Sequence, residues 1–147
     1  MKEVSIIIPS VKWESFTEQC VTVCATLFPQ SKIILVLDED VLFTIPVQHV
    51  TVLYGERGTI SRKRNVAVKM AQTEFVAFID SDAFPHKNWL NSALETLKKD
   101  SRKGMVGGPN ISPLTQSHER NLVGMATKSW LVAGKWNFYK SEKSSAR

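Results

Sequence analysis

The chain has 147 residues, 43% of them hydrophobic, and a formal net charge of +5 at neutral pH. That length and apolar content suit one ordinary globular domain with a core of its own. No apolar run reaches the roughly 18 residues of a membrane-spanning helix, and the opening MKEVSIIIPS is too short for a signal peptide, so a cytoplasmic chain is expected.

The first apolar run, VSIIIPS, predicts a strand, and the amphipathic stretch after it predicts a helix from about Glu14 to Leu27. Cys20 and Cys24 lie four apart in FTEQCVTVCATLF, which is the spacing of one helix face and neither a CxxC nor a disulfide framework. They are expected as core thiols beside Phe16, Val23 and Leu27. KIILVLDED reads as the second strand, HVTVLYG as the third, and about Thr59 to Gln72 as the second helix. EFVAFIDSD is the fourth strand, buried by its apolar run. Asn88 to Lys99 is a third helix with Trp89, Ala93, Leu94 and Leu97 as its buried stripe, and GMVGGPN is a short strand or a turn. Short apolar runs alternating with helices predict an α/β fold, a mostly parallel sheet covered on both faces. Beyond Pro113 the pattern weakens towards a polar tail, KSEKSSAR.

Ligands of open parallel sheets sit outside the carboxyl ends of the strands. Here those ends carry Pro9 and Ser10, then Asp38, Glu39 and Asp40, then Gly55 to Gly58, then Asp80, Ser81 and Asp82. Bundled carboxylates raise one another's pKa, so a cation should offset them. A divalent metal suits the last group: Mg²⁺ and Mn²⁺ take one or two carboxylates and complete their shell with water and phosphate. Asp80 and Asp82, two apart on an extended chain, would face the same way; the alternative is one helix-capping acid and one facing solvent. Arg62, Lys63 and Arg64 open a helix whose amino end already carries partial positive charge, which makes either an anion site or a solvated basic face. GxxxxGK[ST] and GxGxxG are both missing, which argues against a P-loop or dinucleotide fold.

Taken in order, VSIIIPS, ILVLDED, Gly58 with the following Arg64-Asn65 pair, and FVAFIDSD resemble the family 2 glycosyltransferases. The likeness spans about residues 3 to 110 and includes VGGPN. It implies the GT-A fold, a Rossmann-like sheet that binds a nucleotide-sugar, with about residues 1–110 as the donor-binding half and 111–147 as the start of the acceptor region. It further implies an inverting transfer, assisted by Mn²⁺ or Mg²⁺, from a UDP-sugar to a glycan or lipid-linked acceptor. Carried over by position, Pro9 and Ser10 lie beside the base, Asp38 takes the uracil, and Arg64 and Asn65 lie near the nucleotide. Asp80, Ser81 and Asp82 match the DXD motif, with Asp82 on the metal and Asp80 towards the ribose and the metal shell.

Two departures concern the nucleotide: Lys63 stands where many relatives have a small residue, and LDED replaces the commoner acidic pair followed by Gly and Ser. A third concerns catalysis. Inverting transfer needs a carboxylate base, yet after Asp100 only Glu119 and Glu142 remain, and Glu119 is either that base or a solvated helix residue. The chain therefore reads as the donor-binding part of a longer enzyme, or as a nucleotide-sugar-binding module without turnover. A haloacid-dehalogenase-like phosphatase, with the first Asp of a DxD as nucleophile, is the rival enzyme class. Nucleic-acid binding lacks its interleaved aromatic and basic motif. His49, His86 and His118 have no metal-ligand spacing. Trp13 is the tryptophan placed for a ligand. Trp130, Trp136, Phe138 and Tyr139 suit packing against a further segment, peripheral contact with a membrane surface, or a second copy of the chain.

Overall fold

The computed structural model describes residues 3–40, 45, 47–54 and 58–109. They fall into two compact units, the first running to Lys87 and the second starting at Asn88.

In the first unit, β1 (Val4–Pro9) leads into α1 (Ser15–Leu27), followed by β2 (Lys32–Val36), β3 (Val50–Leu53), α2 (Ile60–Met70) and β4 (Phe75–Phe78). All strand pairs are parallel, in the order β3-β2-β1-β4. Ile7 of β1 lies between Ile34 of β2 and Phe78 of β4. The chain thus builds outward from β1 to β2 and β3, and α2 then carries it back to β1's other side. Right-handed crossovers in opposite directions place α1 and α2 on opposite faces of the sheet.

Alternation along the strands divides the core accordingly. Ile7, Ile34 and Val36 pack with Ala67 of α2, flanked by Leu53 and Ala71. Ile6, Ile8, Ile33 and Leu35, also buried, point to the other face. Each such isoleucine or leucine contributes about 1.5–3 kcal/mol by leaving water.

Helix α1 buries Thr17, Cys20, Val21 and Cys24. The two cysteines are core thiols as expected, but Phe16 and Leu27 are exposed, so the buried stripe is turned from the one predicted. Buried Thr17 explains the rotation: its hydroxyl meets Ser10 Oγ at 3.1 Å and donates to the Lys12 carbonyl at 3.2 Å, tying this face to the end of β1. The Cys24 thiol is pushed up from its ordinary pKa by its hydrogen bond with Cys20 and by burial.

Helix α2 starts where Gly58 and Thr59 set it. Gly58 has φ +156°, which only glycine adopts without strain, and a Cβ there would lie 3.2 Å from Arg62 Cδ. The Thr59 hydroxyl caps the helix by accepting from the Arg62 N–H at 3.3 Å. Strand β4 is only half covered, with Val76 and Phe78 exposed. It is the edge of the described sheet, where one side lacks a neighbouring strand to cover it.

In the second unit, α3 (Trp89–Lys98) buries Leu90 and half-buries Trp89, Ala93, Leu94 and Leu97, as its pattern predicts with Leu90 added. Residues 104–109, the described part of GMVGGPN, form no strand.

Candidate functional site

Strand order places the site. The reversal of direction between β1 and β4 is the topological switch point, at whose carboxyl edge open parallel sheets bind their ligands. Pro9 ends β1 and Asp80 follows β4. Backbone bonds extend the ladder past both ends: Ser10 N–H donates to the Val36 carbonyl at 2.9 Å, Ile79 N–H to Ile7 at 3.2 Å, and Asp38 N–H to Val11 at 3.0 Å.

Across this edge α2 sends two consecutive cations. Lys63 is buried, its side chain 2% exposed, and its ammonium lies 2.8 Å from Asp38 Oδ1. The same ammonium donates to the Ser10 carbonyl at 2.6 Å. One lysine therefore joins α2 to the ends of both β1 and β2. Arg64, the next residue, donates through Nη2 to Asp80 Oδ1 at 2.6 Å and holds its guanidinium carbon 5.7 Å from the Phe78 ring centroid. That is an ion pair and a cation–π contact on the same group.

Within the basic run, Arg62 is exposed, while its two neighbours turn towards the strand ends. Lys63 points into the core and Arg64 across to β4, each against a carboxylate. The signal for Lys63 lay in its spacing, because positions 63, 67 and 71 fall on one helix face and both alanines pack on the sheet.

Two buried side-chain polar atoms among the described residues lack a hydrogen-bond partner, Asp38 Oδ1 and Arg64 Nε. Lys63 is close enough to Asp38 Oδ1 for charge attraction but lies off hydrogen-bond alignment. Native proteins pair nearly all such atoms, so the unpaired Arg64 donor at this sheet edge needs a reason.

Asp80 and Asp82 do not lie on extended chain as predicted. The strand ends at Phe78, and Ala83 N–H donates to the Asp80 carbonyl at 3.0 Å, closing a turn around Ser81 and Asp82. The same carbonyl accepts a weak bond from the Cys20 thiol at 3.6 Å, which links α1 to this turn. The Asp80 side chain is 61% exposed, and Asp82 and Asn65 are exposed too. Among the described residues no three His, Cys, Asp or Glu side chains cluster to hold a metal by themselves. A two-carboxylate site completed by phosphate and water needs no third. Ser10 is buried and Trp13 half-buried. Glu119, Glu142, His118 and the aromatic residues from Trp130 onward lie outside the described residues.

The model of Glycosyl transferase family 2 matches residues 5–122, most of the chain. The chain belongs to that family. Its structure is similar to the crystal structure of S. aureus TarS 1-349, with a TM-score of 0.53 and 23% sequence identity. The match covers 78% of this chain and 39% of that one, so the chain spans well under half of the solved relative's length. No curated protein matches it. The fold is that of the GT-A glycosyltransferases, and the phosphatase alternative is set aside with the family assigned. Residues 5–122 make this a glycosyl transferase family 2 domain. No helix among the described residues is long and apolar enough to cross a membrane.

Proposed function

We propose that the chain binds a nucleoside diphosphate sugar, with UDP as the nucleotide, for inverting, metal-dependent transfer to a glycan or lipid-linked acceptor. One observation carries this reading: Asp38, with one carboxylate oxygen held by Lys63, and Arg64, whose Nε lacks a partner, stand at the strand ends on either side of β1. An ionised carboxylate only accepts and a guanidinium only donates, so the pair suits a ligand with an N–H on one part and anionic oxygens on another. A uridine diphosphate has both.

Each residue then has its task. Asp38 accepts from the base, and Pro9 and Ser10 form the wall beside it. Arg64 and Asn65 face the nucleotide, and Ser81 lies in the turn that presents Asp80 and Asp82. These two carboxylates would hold a Mn²⁺ or Mg²⁺ ion, Asp82 directly and Asp80 between the ion and the ribose. The ion, when bound, offsets charge on the departing diphosphate. Arg64 adds a fixed positive charge on the same side without needing to reorganise, because Asp80 and Phe78 already hold it. The carboxylate that takes the acceptor's proton belongs to a segment after the DXD turn, with Glu119 as the candidate within this sequence. A module that binds donor without turnover is the second reading, and donor turnover separates the two.

The test is saturation binding of UDP-, GDP- and CDP-linked sugars to the purified chain with Mn²⁺ present. Saturable binding that prefers the UDP-sugars supports the reading, and no saturable binding of any donor refutes it.

A further inference from the structure

Lys63 is the feature of this site that the donor chemistry leaves unused. Its ammonium is buried, and its partners are Asp38 Oδ1 at 2.8 Å and the Ser10 carbonyl at 2.6 Å. Burying a lysine ammonium is costly, and a neutral side chain could fill the same space beside Ala67. The charge therefore has work that packing does not explain.

That work follows from what it fixes. The Asp38 side chain is 16% exposed with Oδ1 fully buried, so Lys63 holds one carboxylate oxygen inward and limits how the group can turn. Its second bond fixes the Ser10 carbonyl at the end of β1, beside the same edge. We infer that Lys63 is a positioning residue that sets the base selectivity of the donor site, by holding the Asp38 carboxylate in one orientation. The inference rests on the reading of Asp38 as the base-contacting acid.

The chemistry of the bases makes it testable. Uracil presents an N3–H donor to such a carboxylate, whereas cytosine presents a bare N3 acceptor at the same position. Acceptor against acceptor leaves a desolvated group unpaired, which lowers affinity by roughly tenfold or more. The discrimination lasts only while the carboxylate is held. Freed of Lys63, Asp38 can turn towards water and accept a bridging molecule that suits either base.

The experiment compares UDP, CDP and inorganic pyrophosphate by calorimetric titration with Mn²⁺ present, on the wild-type chain, Lys63→Met and Lys63→Gln. Methionine keeps the apolar stem, and glutamine also keeps a donor for the Ser10 carbonyl, so the second variant serves if the first does not fold. The wild type is expected to favour UDP over CDP by about tenfold or more. In the variants that ratio should fall towards one, with pyrophosphate affinity within about twofold of wild type, since both partners of the lysine lie on the side assigned to the base. Equal weakening of all three probes would show that Lys63 only supports the fold, and an unchanged UDP-to-CDP ratio would show that it does nothing for selectivity; either overturns the inference. A wild type that takes pyrophosphate but prefers no base overturns it while leaving the diphosphate site standing. One that binds no probe overturns the donor-site reading as well.

Discussion

The Arg64 guanidinium sits 2.6 Å from Asp80 Oδ1, bringing helix α2 to the end of β4 just as the neighbouring Lys63 brings it to Asp38 at the end of β2. Two adjacent cations on one helix thus hold the two acidic strand ends that flank β1. Asp38 and Asp80 thus each have a cation of their own to offset their charge.

Arg64→Ala separates binding from stability. The pair is 35% and 61% exposed, so its loss should change unfolding free energy by no more than about 1 kcal/mol. UDP affinity should fall by roughly tenfold or more, because a charge-assisted contact to the diphosphate side is lost. A chemical melt beside a UDP titration checks both, and a variant that binds UDP normally would remove Arg64 from the site.

Asp82→Ala should abolish metal-dependent nucleotide binding and leave the fold intact, since Asp82 is exposed and lies in a turn. The far-ultraviolet circular dichroism and melting temperature should match wild type. UDP affinity that still responds to Mn²⁺ in this variant would sink the metal assignment.

Much of the fold can be read from the sequence because its strands are short apolar runs with VSIIIP and KIILV at the centre, and no other structure accommodates such runs so close together. The placing of acids at strand ends followed from the same runs. What could not be read depended on contacts between distant elements. Lys63 looks like any solvated lysine until the strand order brings Asp38 and Ser10 beneath it. By spacing Phe16 belongs to the α1 stripe, until Thr17, through its bond to Ser10, decides which side faces the sheet. The turn at Asp80 was hidden for a local reason: FIDSDAF contains no glycine or proline between the strand and the bend.

Lys63→Met should destabilise the chain by roughly 3 kcal/mol, since breaking a buried pair leaves its partner charge uncompensated. Adding Asp38→Leu should recover part of the loss, because an apolar pair of similar size has no charge to desolvate. Urea unfolding of the single and double variants measures the coupling. A single variant as stable as wild type would mean that the ammonium finds no net support from Asp38.

The Cys24 thiol predicts an alkaline weakness. Its pKa is raised in the fold above the ordinary 9.0 of the unfolded chain. Above about pH 9 the unfolded state loses a Cys24 proton that the folded state keeps, so this thiol's contribution falls with rising pH, while Cys20, lowered by its hydrogen bond with Cys24, contributes the opposite slope below pH 9. Urea midpoints at pH 8 and pH 10 should differ, and Cys24→Ala should narrow the gap. An equal gap in that variant would assign the alkaline loss to other groups.

The central claim is that the carboxyl edge of this sheet is a metal-assisted site for a uridine diphosphate. Calorimetric titration of UDP and GDP into the chain, first with Mn²⁺ and then with EDTA, tests it most directly. The account expects saturable binding of UDP that is stronger than that of GDP and is lost with EDTA. Absence of UDP binding under both conditions, or equal affinity with and without the metal, would contradict it.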